Sequence, residues 1–133
     1  MPMRSNRRDD DRIPLELFLN TYVAERPYRA VTTNISTTGI YFSRVYAPTR
    51  MAQFAREDRF VQIEMALPGG GDTIWARGEI RYDELGAGLV HGTGIYLKDI
   101  ARGHQKMLRE FVVEHRRQRL TQILQLIRKN RYQ

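Results

Sequence analysis

Arg7-Arg8-Asp9-Asp10-Asp11-Arg12 places three guanidiniums just ahead of the first apolar run of the chain. Further on, Asn34-Ile35-Ser36-Thr37-Thr38-Gly39 supplies an amide, a hydroxyl and a glycine at a strand-to-strand corner. A guanidinium is a planar fork of donors that matches a phosphate or the O6/N7 edge of guanine. Asn and Ser add further donors and acceptors, and glycine lets backbone approach closely. Brought together, the two stretches would form a pocket for a planar, anionic ligand with hydrogen-bonding edges.

The two halves differ in information. R-x-x-x-R occurs at Arg4/Arg8, Arg8/Arg12 and Arg77/Arg81. With 19 arginines in the chain, about two or three such pairs arise by chance. Taken alone, Arg8/Arg12 therefore reads as a solvated charged tail. [DN]-x-S-x-x-G is rarer, because the chain has only three serines; its chance expectation is on the order of 0.02. Its structural alternative is an Asx or Ser turn that closes a hairpin.

The elements that must position these residues are mostly strands. Residues 13–23 alternate, with Ile13, Leu15, Leu17, Leu19 and Val23 on one face, the period of a half-buried strand. Glu25-Arg26-Pro27 breaks the run, and residues 28–35 return as a second strand. Residues 39–45 are β-branched and aromatic and predict a third. Residues 46–59 show no strand pattern and are expected to hold a loop or one short helix. Residues 60–67 point Val61, Ile63, Met65 and Leu67 inward, and residues 73–82 point Ile74, Ala76, Gly78 and Ile80 inward. Pro68-Gly69-Gly70-Gly71-Asp72 joins these two as a hairpin connection, and Gly86-Ala87-Gly88 is a further turn. Residues 93–98 make the last strand. Six short strands separated by turns predict a mainly β fold, a six-stranded antiparallel barrel that removes its own edges by closing.

A long helix follows. Asp99 is the expected N-cap, and helical spacing without proline continues to about residue 129. Met107, Leu108, Phe111 and Val112 form a stripe expected to pack on the barrel. A polar interval, 114–119, separates them from Leu120, Ile123, Leu124 and Ile127. Counted from His104, the helix would be about 39 Å long at 1.5 Å per residue. A body of about 100 residues is roughly 34 Å across, so the helix outruns it. Val113, Leu120 and Ile127 are seven apart, with Ile123 and Leu124 between the last two, as in a short coiled-coil seam. Two outcomes are open: the end folds back or frays, or Val113, Leu120, Ile123, Leu124 and Ile127 form an oligomer interface, most simply a dimer. The expected division is an arm over 1–12, a barrel over 13–100 and a basic amphipathic helix over 101–133.

Composition narrows the function. No run of about 18 apolar residues exists to cross a membrane, and the first residues lack the apolar segment of a secretory signal. Cysteine is absent, which excludes disulfides and thiol catalysis and fits a cytoplasmic protein. The net charge is +7. Residues 1–100 hold thirteen basic and thirteen acidic side chains, whereas residues 101–133 hold nine and two. The whole excess is on the C-terminal segment, so the body is no general polyanion binder. A recognised nucleic-acid module is missing, and nucleic acid is not an expected partner.

Catalytic and metal readings find no support. His91, His104 and His115 have no metal-ligand spacing and no cysteine partners, so no metal site is expected. No G-x-S-x-G or P-loop sequence occurs. Gly-Ala-Gly-Leu-Val-His-Gly-Thr-Gly, residues 86–94, fails the dinucleotide fingerprint: His91 stands where it needs glycine, and a strand follows where it needs a helix. No two carboxylates are paired for acid–base work. Trp75 and Tyr41 could stack on a base, but packing in the core or on the barrel surface is the reading taken.

R-x-x-x-R, one hairpin, then [DN]-x-S-x-x-G: this order resembles the PilZ domain, the bacterial receptor module for the second messenger cyclic di-GMP. The matching residues are Arg8 and Arg12, then Asn34, Ser36 and Gly39. The resemblance covers about residues 7–115. It implies a β-barrel with a C-terminal helix and a receptor without chemistry of its own, needing no cofactor. Arg8 and Arg12 would bind phosphate and the guanine Hoogsteen edge. Asn34 and Ser36 would hydrogen-bond a base, and Gly39 would permit the turn that presents them. Asn34 stands where many members have Asp. Arg7, just before the motif, would grip a second stacked ligand, so two molecules per site are expected. Binding would order the arm and relay to an unidentified protein effector. The alternative is a protein of the same fold that binds no nucleotide and works through its helix in interaction or oligomerisation; Asp9, Asp10 and Asp11 inside the arginine motif speak for it.

Overall fold

A computed structural model of the chain describes residues 12–55, 57–85 and 89–131. The strands are β1 (Ile13–Pro14), β2 (Phe18–Val23), β3 (Arg26–Ile35), β4 (Gly39–Ala47), β5 (Arg50–Ala52), β6 (Phe60–Met65), β7 (Ile74–Leu85) and β8 (Leu89–Ile100). One long helix, α1 (Arg102–Arg131), follows. Six strands close in the order β3-β2-β6-β7-β8-β4, with β4 returning to pair β3. β1 extends β3, and β5 hangs on β4. Every pairing is antiparallel. The expected six-stranded barrel is present, with two short strands added.

The inward parity read from the sequence is the one observed. Ile13, Leu19 and Val23 are buried, as are Val61, Ile63, Met65, Ile74, Ala76 and Ile80. Apolar side chains at alternate positions of a closed sheet share one interior, and their burial drives closure. The helix seals that interior: Leu108 and Val112 are fully buried, with Met107 and Phe111 packed beside them.

Four local expectations change. The expected strand 13–23 divides at residues 15–17. Pro14 pairs Asn34, whereas Phe18 pairs Val31, a one-residue shift that marks a bulge. The buried Thr32 hydroxyl mends it, accepting from Leu17 N at 3.0 Å and donating to the Leu15 carbonyl at 2.7 Å. The break before β3 falls at Ala24 and Glu25, not at Glu25-Arg26-Pro27. Both have positive φ, 49° and 67°, and they form the two-residue loop whose twist matches the flanking strands. The interval 46–59, expected as a loop or a short helix, carries the end of β4 and the short strand β5. Finally, Asp99 is not the N-cap. It lies in β8, its carboxylate takes a hydrogen bond from Arg77 at 3.0 Å, and α1 starts at Arg102.

The start of α1 is fixed to the sheet at one edge: Trp75 N donates to His104 Nδ1 at 3.2 Å. The helix has 30 residues, about 45 Å at 1.5 Å per residue. From residue 116 to residue 130 every side chain is exposed. The second half of α1 therefore projects beyond the barrel.

Candidate ligand-binding face

Asn34, Ser36 and Gly39 come together at the corner between β3 and β4. Ser36 N donates to the Gly39 carbonyl at 2.8 Å, closing the turn through the backbone. The Ser36 hydroxyl closes it again, accepting from Thr38 N at 3.2 Å and Gly39 N at 3.0 Å. It also donates toward the Gly39 carbonyl at 3.3 Å. Ser36 is only 5% exposed. Its hydroxyl builds the corner, as a serine with amides two and three residues on is placed to do.

Gly39 is needed for a reason the sequence hides. Its φ is not in the left-handed region; instead a Cβ there would sit 2.9 Å from the Ile95 carbonyl oxygen. Glycine lets β4 lie close against β8 at the corner. Asn34 is half-buried on the outer side of β3, and its amide makes one long contact among the described residues, 3.4 Å to the Thr33 hydroxyl.

Arg12 is exposed immediately before β1. Ile13 pairs Ile35 and Pro14 pairs Asn34, so the same register continued by one residue sets Arg12 level with Ser36. The end of the arginine motif is thus held at the corner by the β1–β3 ladder. Arg7 and Arg8 lie outside the described residues, as does the Asp9–Asp11 run.

The face continues across the sheet. Asn34 pairs Tyr41, Tyr41 pairs Gly94, and Gly94 pairs Arg81. These four residues make one row over β3, β4, β8 and β7, about 14 Å from end to end at the usual strand spacing. Strand parity turns them all to the outside. Gly92 is roofed by Tyr41: a Cβ at residue 92 would meet that ring and its hydroxyl at 2.6 Å. Gly94 differs, because a Cβ there would meet nothing closer than the Arg81 carbonyl at 3.7 Å. It leaves a bare strip of backbone between Tyr41 and Arg81. The Arg81 guanidinium stacks over Tyr96 at 5.0 Å and bonds Glu79 at 3.1 Å. Arg81 and Tyr96 are thus a cationic and aromatic pair beside the corner, able to meet the face and edge of a base.

Tyr41, Gly94, Tyr96 and Arg81 were not singled out by motif. Arg81 belonged to a chance R-x-x-x-R, and Tyr41 read as packing. Alternation in 73–82 does place Arg81 outward, but only strand register sets it in line with Asn34. A cleft of about 730 Å³ opens elsewhere, lined by Tyr28, Arg29, Tyr46 and Arg50 among others. None of Arg12, Asn34, Ser36 and Gly39 lines it. Among the described residues no cluster of metal-ligating side chains occurs.

Three comparisons set the chain among known proteins. The fold resembles the Bacillus subtilis inhibitor of motility, MotI/DgrA, at a TM-score of 0.63 and 16% identity. That match covers 80% of this chain and 49% of the other, so this chain spans about half of that protein's length. The PilZ domain of CeSA from a cellulose-synthesizing bacterium matches at a TM-score of 0.47 and 20% identity, over 79% of this chain and 97% of that one. No curated protein matches. The family model of the PilZ domain matches residues 6–114, a span that runs from the arginine motif through the barrel to the sealing turns of α1, and the chain belongs to the PilZ domain family.

Proposed function

We propose that this chain is a cyclic di-GMP receptor whose ligand lies between the arginine arm and the β3–β4 corner. The observation that carries the reading is the β1–β3 pairing. It pairs Ile13 with Ile35 and Pro14 with Asn34, so the residue that follows Arg12 lies beside the one that precedes Ser36. Membership in a family of cyclic di-GMP receptor modules supports it.

Arg8 and Arg12 bind phosphate and the Hoogsteen edge of a guanine, as forked donors do. Asn34, with its amide little engaged among the described residues, bonds a base edge. Ser36 and Gly39 act mainly by shaping the corner that presents Asn34. Tyr41 and the bare backbone at Gly94 offer a flat floor, and Arg81 closes its far side. Arg7 holds a second stacked ligand. Binding at the arginine arm changes the surface that a protein effector meets, and so relays the signal. No catalytic step belongs to this reading.

Calorimetric titration of the intact protein with cyclic di-GMP, and in parallel with an unrelated linear dinucleotide, tests the proposal. Saturable binding of the first alone is the expected result. Heat from neither, or equal heat from both, overturns it.

A further inference from the structure

The projecting half of α1 carries a second apolar face, and its direction is informative. Leu120, Ile123, Leu124 and Ile127 are between 45% and 58% exposed, and Val113 is 56% exposed. The residues that α1 turns to the barrel are His104, Met107, Leu108, Phe111, Val112 and His115. At 3.6 residues per turn, the centres of the two faces lie about 150° apart around the helix axis. The distal stripe therefore points away from the barrel that the same helix seals. A straight α1 does not bring it back onto its own body.

Charge says what covers it. Residues 120–127, Leu-Thr-Gln-Ile-Leu-Gln-Leu-Ile, contain no charge, and basic groups stand on both sides: Arg116, Arg117 and Arg119 before, Arg128, Lys129 and Arg131 after. The two acids of α1, Glu110 and Glu114, both precede the run. A parallel pair of such helices stacks each basic cluster on its own copy and sets Arg116 against Arg116 in the seam. An antiparallel pair does the opposite. With Leu120 of each copy facing Ile123 of the other, Arg116, Arg117 and Arg119 come level with uncharged residues 124–127. Arg128 then comes level with His115 and, on the same flank of the helix, one residue from Glu114. Glu110 comes close to the level of Arg131.

We infer that α1 pairs with a second copy of this chain as an antiparallel two-helix seam built on Leu120, Ile123, Leu124 and Ile127, with Glu114 of each protomer reaching Arg128 of the other. The pairing is self-complementary under a two-fold axis, as a closed dimer requires. It also keeps the barrels clear of one another. Each barrel is on the far side of its own helix, so the seam faces neither, and both candidate ligand-binding faces stay open. The inference stands independently of what those faces bind.

The absence of cysteine makes the orientation testable by cross-linking the full chain. Arg116→Cys/Ile127→Cys, two seam positions that this register sets level, should form a disulfide-linked dimer under mild oxidation, whereas Ile127→Cys alone should not. Light scattering on the unmodified protein at tens of micromolar should give twice the mass of one chain. Leu120→Glu/Ile123→Glu should give a single-chain mass with an unchanged far-ultraviolet spectrum, since neither side chain touches the barrel. Efficient self-linking of Ile127→Cys would mean a parallel pair and would overturn the inference. So would a monomer at that concentration, including one whose stripe instead binds vesicles of anionic phospholipid.

Discussion

Pro14 pairs with Asn34 across the β1–β3 ladder, so the chain that leaves the arginine motif is bonded to the strand that carries the second half of the site. The motif therefore ends beside a fixed anchor. Arg8→Ala and Arg12→Ala should each weaken cyclic di-GMP binding about 10- to 150-fold, the cost of one charge-assisted contact. Melting temperature should not move, because Arg12 is exposed and outside the core. Calorimetry beside a thermal melt checks both halves, and unchanged affinity in both variants would remove the arginines from the site.

Arg7 is expected to set stoichiometry. The unmodified chain should bind two molecules of cyclic di-GMP per site, and Arg7→Leu should bind one. Titration at protein concentrations well above the dissociation constant reads the ratio directly.

Ser36→Ala should lose stability as well as affinity. Removal of the hydroxyl strips an acceptor from Thr38 N and Gly39 N, and unsatisfied partly buried amides cost about 1–3 kcal/mol. Urea unfolding should show a lower midpoint at an unchanged slope. A variant that keeps full stability and loses only binding would show instead that the hydroxyl serves the ligand.

Arg81 and Arg77 separate the cross-strand row from general charge. Both are exposed, on the outer side of one strand. Arg81 lies in the row with Asn34, Tyr41 and Gly94, whereas Arg77 is bonded to Asp99. Arg81→Ala should reduce affinity about tenfold, in the range of one lost polar contact. Arg77→Ala should leave it within about twofold. Equal losses would indicate long-range attraction, and raising the salt concentration would then abolish the difference from the unmodified protein.

The loop between β2 and β3 is strained by its own residue types. Ala24 and Glu25 occupy positive φ, which costs an L-residue roughly 1–2 kcal/mol. Ala24→Asn/Glu25→Gly, the pair this turn prefers, should raise stability by about 1–2 kcal/mol without altering binding. A thermal melt of the double variant is sufficient.

How much of this was legible beforehand follows from the range of the forces involved. Burial parity is local: side chains of a strand alternate faces, so the alternation at 60–67 and 73–82 fixed which residues line the barrel, and turn residues marked most strand ends. The spacing of Arg8, Arg12, Asn34, Ser36 and Gly39 was equally plain, and with it the family. The long helix and its two apolar stripes were also in the spacing of Met107, Leu108, Phe111 and Val112 and of Leu120, Ile123, Leu124 and Ile127. What only tertiary structure decided depends on contacts between distant segments. Thr32 placed the bulge that divides the first strand, because a buried hydroxyl can replace two ladder bonds. The β7–β8 ladder, which pairs Asp99 with Arg77, keeps Asp99 in the sheet and short of the helix start. The backbone of β8 made glycine necessary at residue 39, through a contact with Ile95 that no local pattern encodes. Register across four strands set Arg81 in line with Asn34. The docking of Leu108 and Val112 fixed the rotation of α1, and so turned its distal stripe outward.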